Sequence, residues 1–495
     1  MVSRRGFLTG LALAPVAYAA GCSIRSSTPR ATRPLPIPPL APSTVGADGV
    51  RRFTLRAQAG ITEMVRGRQT PTWGYSGSVL GPTVRARRAE QVAFTITNDL
   101  PEPTSVHWHG MHLPAKYDGG PHQMIAPGAV WAPEWTIQQQ AATLWYHPHP
   151  HGATEKHVHR GLSGFFLIDD EAGDALDLPK DYGVDDIPLV IQDRRFTAIG
   201  TLDESDITDV GLLGDTIITN GIAGAHLSVG TERVRLRILN GSSGRLYNLA
   251  FDDRRTFQLI ATDGGLLPKP AALEQVQLSP GERVEVVVTL SAGENVTLRS
   301  LPITDRRGID RAAEFGFDDT LDILTLRATD RVRPSAALPA ALVPMRALAA
   351  ASTPPTRAFD LQWFMINNQR MDMNRIDMTI PVDTTEVWTV RNRDNWPHNF
   401  HVHDVQFQIL AVDGNPPPPA LSGWKDTIYT TPETVYTLAM HFADHTDPTY
   451  PYMYHCHLLH HEDQGMMGQF LVLAPGQHPA PMPMDTTAQP GMGHH

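Results

Sequence analysis

Apolar and polar residues alternate with a period of two through much of this chain, in short runs separated by glycine and proline. Val92-Ala-Phe-Thr-Ile-Thr-Asn98, Val234-Arg-Leu-Arg-Ile-Leu-Asn240 and Val387-Trp-Thr-Val-Arg-Asn392 are the clearest. Successive strand side chains point to opposite faces, so this pattern predicts half-buried β-strands. The three runs end in asparagines 142 and 152 residues apart. A second feature, at Pro127-Gly128, Pro280-Gly281 and Pro432-Glu433, recurs at spacings of 153 and 152 and leads each time into another β-rich run. Repetition on this scale marks a tandem of homologous domains rather than a solenoid of small units. Short Val/Ile/Thr strands with Gly/Pro turns predict a Greek-key sandwich or barrel in each unit. A length of 495 residues accommodates about three of them.

Candidate chemistry is laid over this repeat. Of 22 histidines, ten fall in four short clusters: His107-Trp108-His109, His147-Pro148-His149, His398-x-x-His401-x-His403, and His455-Cys456-His457 with His461. On a strand, His455 and His457 share one face and Cys456 takes the other. A thiolate, an imidazole a few residues on and the thioether of Met466 are the donor types of a blue-copper electron-transfer site. The flanking imidazoles are left for a second metal centre, joined to the first by a backbone path on the order of 10 Å. A lone His-x-His pair more often packs or caps; four pairs, one holding the only cysteine beyond the N-terminus, outweigh that reading. The middle unit has Tyr247-Asn248-Leu249 and Val286 to Leu290 where the outer units have histidines, so it reads as a copper-free spacer. The outer units bring two pairs each, which places the shared metal cluster at their interface.

His-Trp-His-Gly at 107–110, Trp-Tyr-His-Pro-His at 145–149, His398 to His403 and His-Cys-His-x-x-x-His at 455–461 resemble the four copper signatures of the three-domain multicopper oxidases. The resemblance covers about 50–475. It implies an all-β fold of three tandem cupredoxin-like Greek-key β-sandwich or barrel domains, at 49–172, 173–330 and 359–476, with a linker at 331–358. It also implies four copper ions. His398, Cys456 and His461 would hold the type 1 copper, with Met466 axial. His107 and His401 would hold the type 2 copper, and His109, His147, His149, His403, His455 and His457 the type 3 pair. Such an enzyme takes one electron at a time at the type 1 copper and reduces O2 to two waters at the other three. Asp118 and Glu462 match acidic positions that deliver protons in bacterial copper-efflux members, with Asp463 a weaker third.

Trp424-Lys425-Asp426 and the run from His455 to Met467 look most like those efflux, or cuprous, oxidases, and are also similar to spore-coat laccases and bilirubin oxidases. Met371, Met373, Met378 and Asp394 form a candidate Cu(I) substrate site, because soft thioethers suit that ion. Against this, the long Met-rich insertion of the efflux enzymes is largely absent, and Trp396 stands where a substrate-binding Met would be. The leading expectation is therefore Cu(I) oxidation in copper tolerance. The alternatives are a general laccase acting on phenols and aromatic amines, and a non-catalytic copper protein of the same fold. Loss of ligands would mark the last, and none is lost.

Composition narrows the partners. A net charge of −11 argues against nucleic acid, and 41% hydrophobic with 19% charged residues is typical of a soluble globular protein, expected to be a monomer. Ser3-Arg4-Arg5-Gly6-Phe7-Leu8 resembles the twin-arginine export motif, and the apolar run to Ala20 is too short to span a bilayer. Residues 1–22 thus read as a signal directing the protein to the periplasm or cell envelope. Ala19-Ala20-Gly21-Cys22 resembles a lipobox, so a lipid on Cys22 would be the one membrane contact. Cys456 is the only other cysteine, which leaves no structural disulfide. Residues 23–48 read as a Pro-rich stalk. The tail 477–495, with Met482, Met484, Met492, His494 and His495, is either a copper scavenger or disordered. His157 and His159 fit no ligand position and are expected at the surface.

Overall fold

The computed structural model describes residues 32–481 and contains three β-sandwiches in chain order. In the first, Arg51–Thr62 and Gln91–Asn98 lie in parallel, and a second sheet of Val84–Arg87, Gly164–Asp169, Ala142–His147 and His107–His109 packs against them. Phe53, Phe94, Trp108, Trp135 and Phe166 fill the space between. The middle sandwich pairs a seven-stranded sheet, with Arg233–Asn240 and Arg283–Thr289 near its centre, with a six-stranded one. In the third, Thr384–Asn392 and Val435–Phe442 are the long strands of one sheet. The other runs Met378–Pro381, Met467–Leu473, Tyr452–His455, His398–Val402, Thr427–Thr430. This is the all-β, three-sandwich architecture that the alternation and the repeat predict.

The repeated asparagines have a common structural cause. Each is buried at a strand end and makes the same contacts. Asn98 donates to the carbonyls of Glu102 and Ile125 and accepts from the Leu100 amide. Asn240 does so with Arg245, Leu278 and Ser242. Asn392 repeats it with Trp396, Thr430 and Asp394. The second repeated feature closes on the first: the amides of Gly128, Gly281 and Glu433 donate to the carbonyls of Asn98, Asn240 and Asn392. All three turn residues have positive φ, at +77°, +86° and +61°. One asparagine thus satisfies a strand end and the start of the next loop in every domain, which is why it recurs.

Two expectations are corrected. The described part of the proposed stalk is docked. Arg33–Pro34 joins the edge of the middle sandwich beside Ala225–Thr231, Leu35 is buried in that core, and Ser43–Val45 pairs with Arg51–Thr62. Proline is compatible with edge strands because their outer N–H needs no partner, and here it straps two sandwiches together. His157 and His159 are buried rather than at the surface, on the short helix Thr154–His159. His157 is held by Thr104 at 3.0 Å and Glu102 at 2.8 Å. The export motif, Cys22 and the tail beyond residue 481 lie outside the described residues. Among the described residues, no helix is long and apolar enough to cross a membrane.

Candidate metal centre

Strand register assembles the histidines. His107–His109 runs antiparallel to Ala142–His147, with His107 opposite His147. His398–Val402 runs antiparallel to Tyr452–His455, with His401 opposite His455. The two pairs come from the first and third sandwiches and meet in one buried cluster. The strand Tyr452–His455 ends at its histidine, yet the alternation continues for two more residues. The His455 and His457 rings lie on the cluster side with centroids 5.5 Å apart, while the Cys456 sulfur faces His398 and His461.

Three groups of donor atoms emerge. His147 Nε2 lies 3.4 Å from both His109 Nδ1 and His457 Nε2. His455 Nε2 lies 3.2 Å from His149 Nε2 and 3.1 Å from His403 Nε2. His107 Nε2 and His401 Nε2 are buried with no hydrogen-bond partner. Metal–imidazole bonds of about 2.0 Å meeting at a tetrahedral angle would hold nitrogens about 3.3 Å apart, so the spacings suit ions shared by three imidazoles. Burial, with mutual repulsion among the rings, holds His109, His147, His149, His401, His403 and His455 well below the usual imidazole range. Neutral rings keep the lone pairs that a metal requires.

The opposite edge of most rings is fixed by a second layer, the arrangement that orients metal-ligating histidines. His107 Nδ1 donates to the Asp118 carbonyl at 2.9 Å, His147 Nδ1 to Pro148 at 2.8 Å, and His401 Nδ1 to Asp426 at 2.8 Å. His403 Nδ1 lies 2.7 Å from the Asp118 carboxylate, and His109 Nε2 3.0 Å from that of Asp426. Glu462 sits between His149 and His455, at 3.3 and 3.4 Å, and accepts a 2.5 Å hydrogen bond from Thr154. Burial, with Asp463 next to it, pushes the Glu462 carboxyl well above its usual range. Gly119 lets Asp118 approach: its φ is +79°, and a side chain there would land on the Val106 carbonyl.

The second site lies within the third sandwich. His398 Nδ1 and His461 Nδ1 are 2.9 Å apart, and Cys456 Sγ lies 3.8 Å from the first and 3.5 Å from the second. Met466 is buried in the same core. Burial pushes the Cys456 thiol up to about 12, so a thiolate here needs a cation. Asn399, between two of the ligand-type histidines in sequence, accepts from the His457 amide and from Cys456 Sγ and donates to the Pro280 carbonyl.

Of the substrate candidates, Asp394 touches the site: it lies 3.3 Å from His398 Nε2 and accepts from the amides of Trp363 and Asn395. Met371 hydrogen-bonds through its amide to Gly465, Met373 is half-buried, and Met378 packs on the third-domain core. Phe364 and Trp396, by contrast, lie against the His461 ring at 5.3 and 6.4 Å. Asp463 accepts from the Thr154 and Glu155 amides and so docks one short helix on another. Asn399, Thr154, Phe364 and the Asp426 carboxylate escaped the sequence reading. Asn399 and Asp426 sit within motifs already singled out, as polar residues in otherwise ligand-bearing or apolar runs.

Three family models described as multicopper oxidase match residues 56–173, 204–300 and 345–476. The chain belongs to the multicopper oxidase family. It is 36% identical over 447 residues to the multicopper oxidase mco of Staphylococcus haemolyticus, covering 88% of this chain and 91% of that protein. It is also 36% identical over 481 residues to the cell division protein FtsP of Escherichia coli, covering 95% and 99%. Among solved structures, a laccase-like multicopper oxidase, CueO, from Ochrobactrum sp. superposes with a TM-score of 0.80 at 35% identity, covering 89% of this chain and all of that one.

Proposed function

We propose that this multicopper oxidase carries four copper ions and couples four one-electron oxidations to the reduction of O2 to two waters, with Cu(I) as its electron donor. His398, Cys456 and His461, together with Met466, would hold the type 1 copper. His107 and His401 would hold the type 2 copper. His109, His147 and His457 would share one type 3 copper, and His149, His403 and His455 the other. The observation that carries this reading is the convergence of buried imidazole nitrogens at 3.1–3.4 Å while their far edges are tied down by carbonyls and carboxylates. A cell-division role like that in the name of FtsP would place no demand on such a donor set.

When bound, the coppers supply the storage of single electrons that lets a one-electron donor drive a four-electron reduction. The chain supplies the rest. Cys456 bridges His455 and His457 in sequence and so joins the two sites covalently. Four protons must reach the oxygen site per turnover, and Asp118 and Glu462 are carboxyl groups in contact with its histidines, whereas the third, Asp426, is held by Arg283. Glu462, whose acid form burial favours, is suited to hold a proton against His149 and His455. Asp394 contacts both the His398 edge and the Trp363 amide, which gives a cationic donor a carboxylate beside the first electron acceptor.

Met371 and Met373 remain the thioethers for Cu(I), whereas the packing of Met378 fits a core role. The aromatic rings of Phe364 and Trp396 at His461, with Trp363 exposed nearby in sequence, favour phenols or aromatic amines as the second reading. O2 uptake by the copper-loaded protein, with Cu(I) and a simple phenol in parallel, separates the two. Fast uptake with Cu(I) that falls in Asp394→Asn supports the first, and preference for the phenol overturns it. The N-terminal motif suits an exported, copper-loaded enzyme.

A further inference from the structure

A second cluster of metal-binding side chains lies at the rim of the contact between the first and third sandwiches. The His112 ring is held at both ends, with Nδ1 2.8 Å from Asp404 Oδ1 and Nε2 2.7 Å from Asp444 Oδ1. His445 stacks obliquely beside it, ring centroids 4.6 Å apart, with Nε2 3.5 Å from the same Asp444 oxygen. Gln138 completes the group: its amide nitrogen lies 3.0 Å from Asp444 Oδ2 and 3.5 Å from His445 Nε2. A half-turn of that amide presents its oxygen instead, since amide N and O are interchangeable in position.

We propose that His112, His445, Asp444 and Gln138 form a binding site for a borderline divalent ion such as Zn2+ or Cu2+, with Asp404 orienting His112 from behind. Two imidazoles, a carboxylate and an amide oxygen are donors that such ions accept. The buried Asp404 carboxylate against Nδ1 fixes the ring with Nε2 turned to Asp444, the carboxylate–histidine–metal arrangement of many metal sites. Asp404 Oδ2 is buried with no partner. His445 holds a φ of +55°, which few non-glycine residues adopt, and this turn aims its ring at His112. Gln138 is exposed and Asp444 half-buried with its side chain 42% accessible, so an ion reaches the site from solvent. None of the four side chains belongs to the copper sets above, and the inference stands whichever donor those sets oxidise. The competing role is a latch: a protonated His112 between two carboxylates, pinning one domain on the other.

The test uses the copper-loaded full chain dialysed against Zn2+, which is redox-inert, with zinc and copper counted per chain. The expected result is one saturable Zn2+ beyond the resident copper. His445→Ala and His112→Gln should each lose it or weaken it at least tenfold, and Asp404→Asn should weaken it by about 10–100-fold. His445→Ala should keep the blue colour and O2 uptake, so it reads the site even if His112→Gln fails to fold. Absence of saturable zinc beyond the copper complement, or equal Zn2+ binding by wild type and His445→Ala, overturns the proposal and leaves the latch.

Discussion

Arg283→Met should unfasten the point where the three sandwiches meet. Arg283 is fully buried in the middle sandwich, and every one of its five N–H groups is used. Nε donates to the Thr143 carbonyl of the first sandwich at 3.0 Å. Nη1 and Nη2 grip Asp426 of the third at 2.7 and 2.6 Å, and also reach the carbonyls of Gly281 and Asp263 at 3.0 and 3.1 Å. Methionine fills most of the volume but strands a buried carboxylate. Breaking a buried pair in this way costs about 3–5 kcal/mol, whereas replacing both partners with apolar residues is often close to neutral. Unfolding entropy is about 2.1 cal/mol/K per residue. If residues 32–481 unfold as one block, about 4 kcal/mol lowers the calorimetric midpoint by about 4 °C; if a single domain of about 150 residues melts first, by about 13 °C. Arg283→Met/Asp426→Leu should recover at least half of the loss. Because Asp426 also fixes His109 and His401, copper content should fall in both variants. A single variant within about 1 kcal/mol of wild type would refute the argument that this pair is buried and mutually dependent.

Cys456→Ser should abolish the intense blue absorption and all turnover while circular dichroism stays unchanged; retained oxidase activity would show that the type 1 site is misassigned. Met466→Leu should keep the colour and raise the type 1 potential by redox titration, since a weak axial thioether tunes it. Glu433→Gly should stabilise the protein by about 0.5–1 kcal/mol in urea, as glycine carries no penalty at the φ of +61° and the pair lost with Arg391 is exposed; net destabilisation would contradict this. His157 has its pKa lowered to about 4 by burial, only partly offset by Glu102. The unfolded chain therefore gains this proton near pH 6.5 and the folded one near pH 4, so stability should fall across that window by on the order of 3 kcal/mol. His157→Gln should flatten that slope.

Much of this was legible because the decisive signals are local in sequence. A His-x-His pair on a strand fixes which side its rings take, and the Asn repeat reports a hydrogen-bond pattern contained within each domain. What was hidden depends on contacts between segments far apart. His157 and His159 lie on a polar-looking stretch, Thr-Glu-Lys-His-Val-His, and nothing local says that Trp73 and Arg194 would enclose it. The Ser/Thr/Pro composition of 32–48 fits a free stalk as well as an edge strand; only the presence of an open edge at Ala225–Thr231 decides. His112, Asp404 and Asp444 are separated by up to 332 residues and become neighbours only when the outer domains close on each other.

The middle sandwich carries none of the proposed copper ligands, yet it is more than a spacer. Its Arg283 holds Asp426, which fixes His109 and His401. Its Asp263 and Glu282 neutralise the buried Lys425 next to that aspartate, at 3.0 and 2.7 Å. Its Ser279 and Pro280 receive the Asn399 side chain that also contacts Cys456 and the His457 amide. Its Asp209 carbonyl accepts from His461 Nε2 at 2.8 Å. Apart from those on Lys425, each of these contacts acts on a residue that touches or forms a proposed copper ligand. A domain without proposed copper ligands thus supplies part of the second layer that holds residues of the other two domains around the proposed sites. Substitutions at Arg283, Glu282 or Ser279 should accordingly register as altered copper spectra, whereas changes on the far sheet of the same sandwich should register only as altered stability.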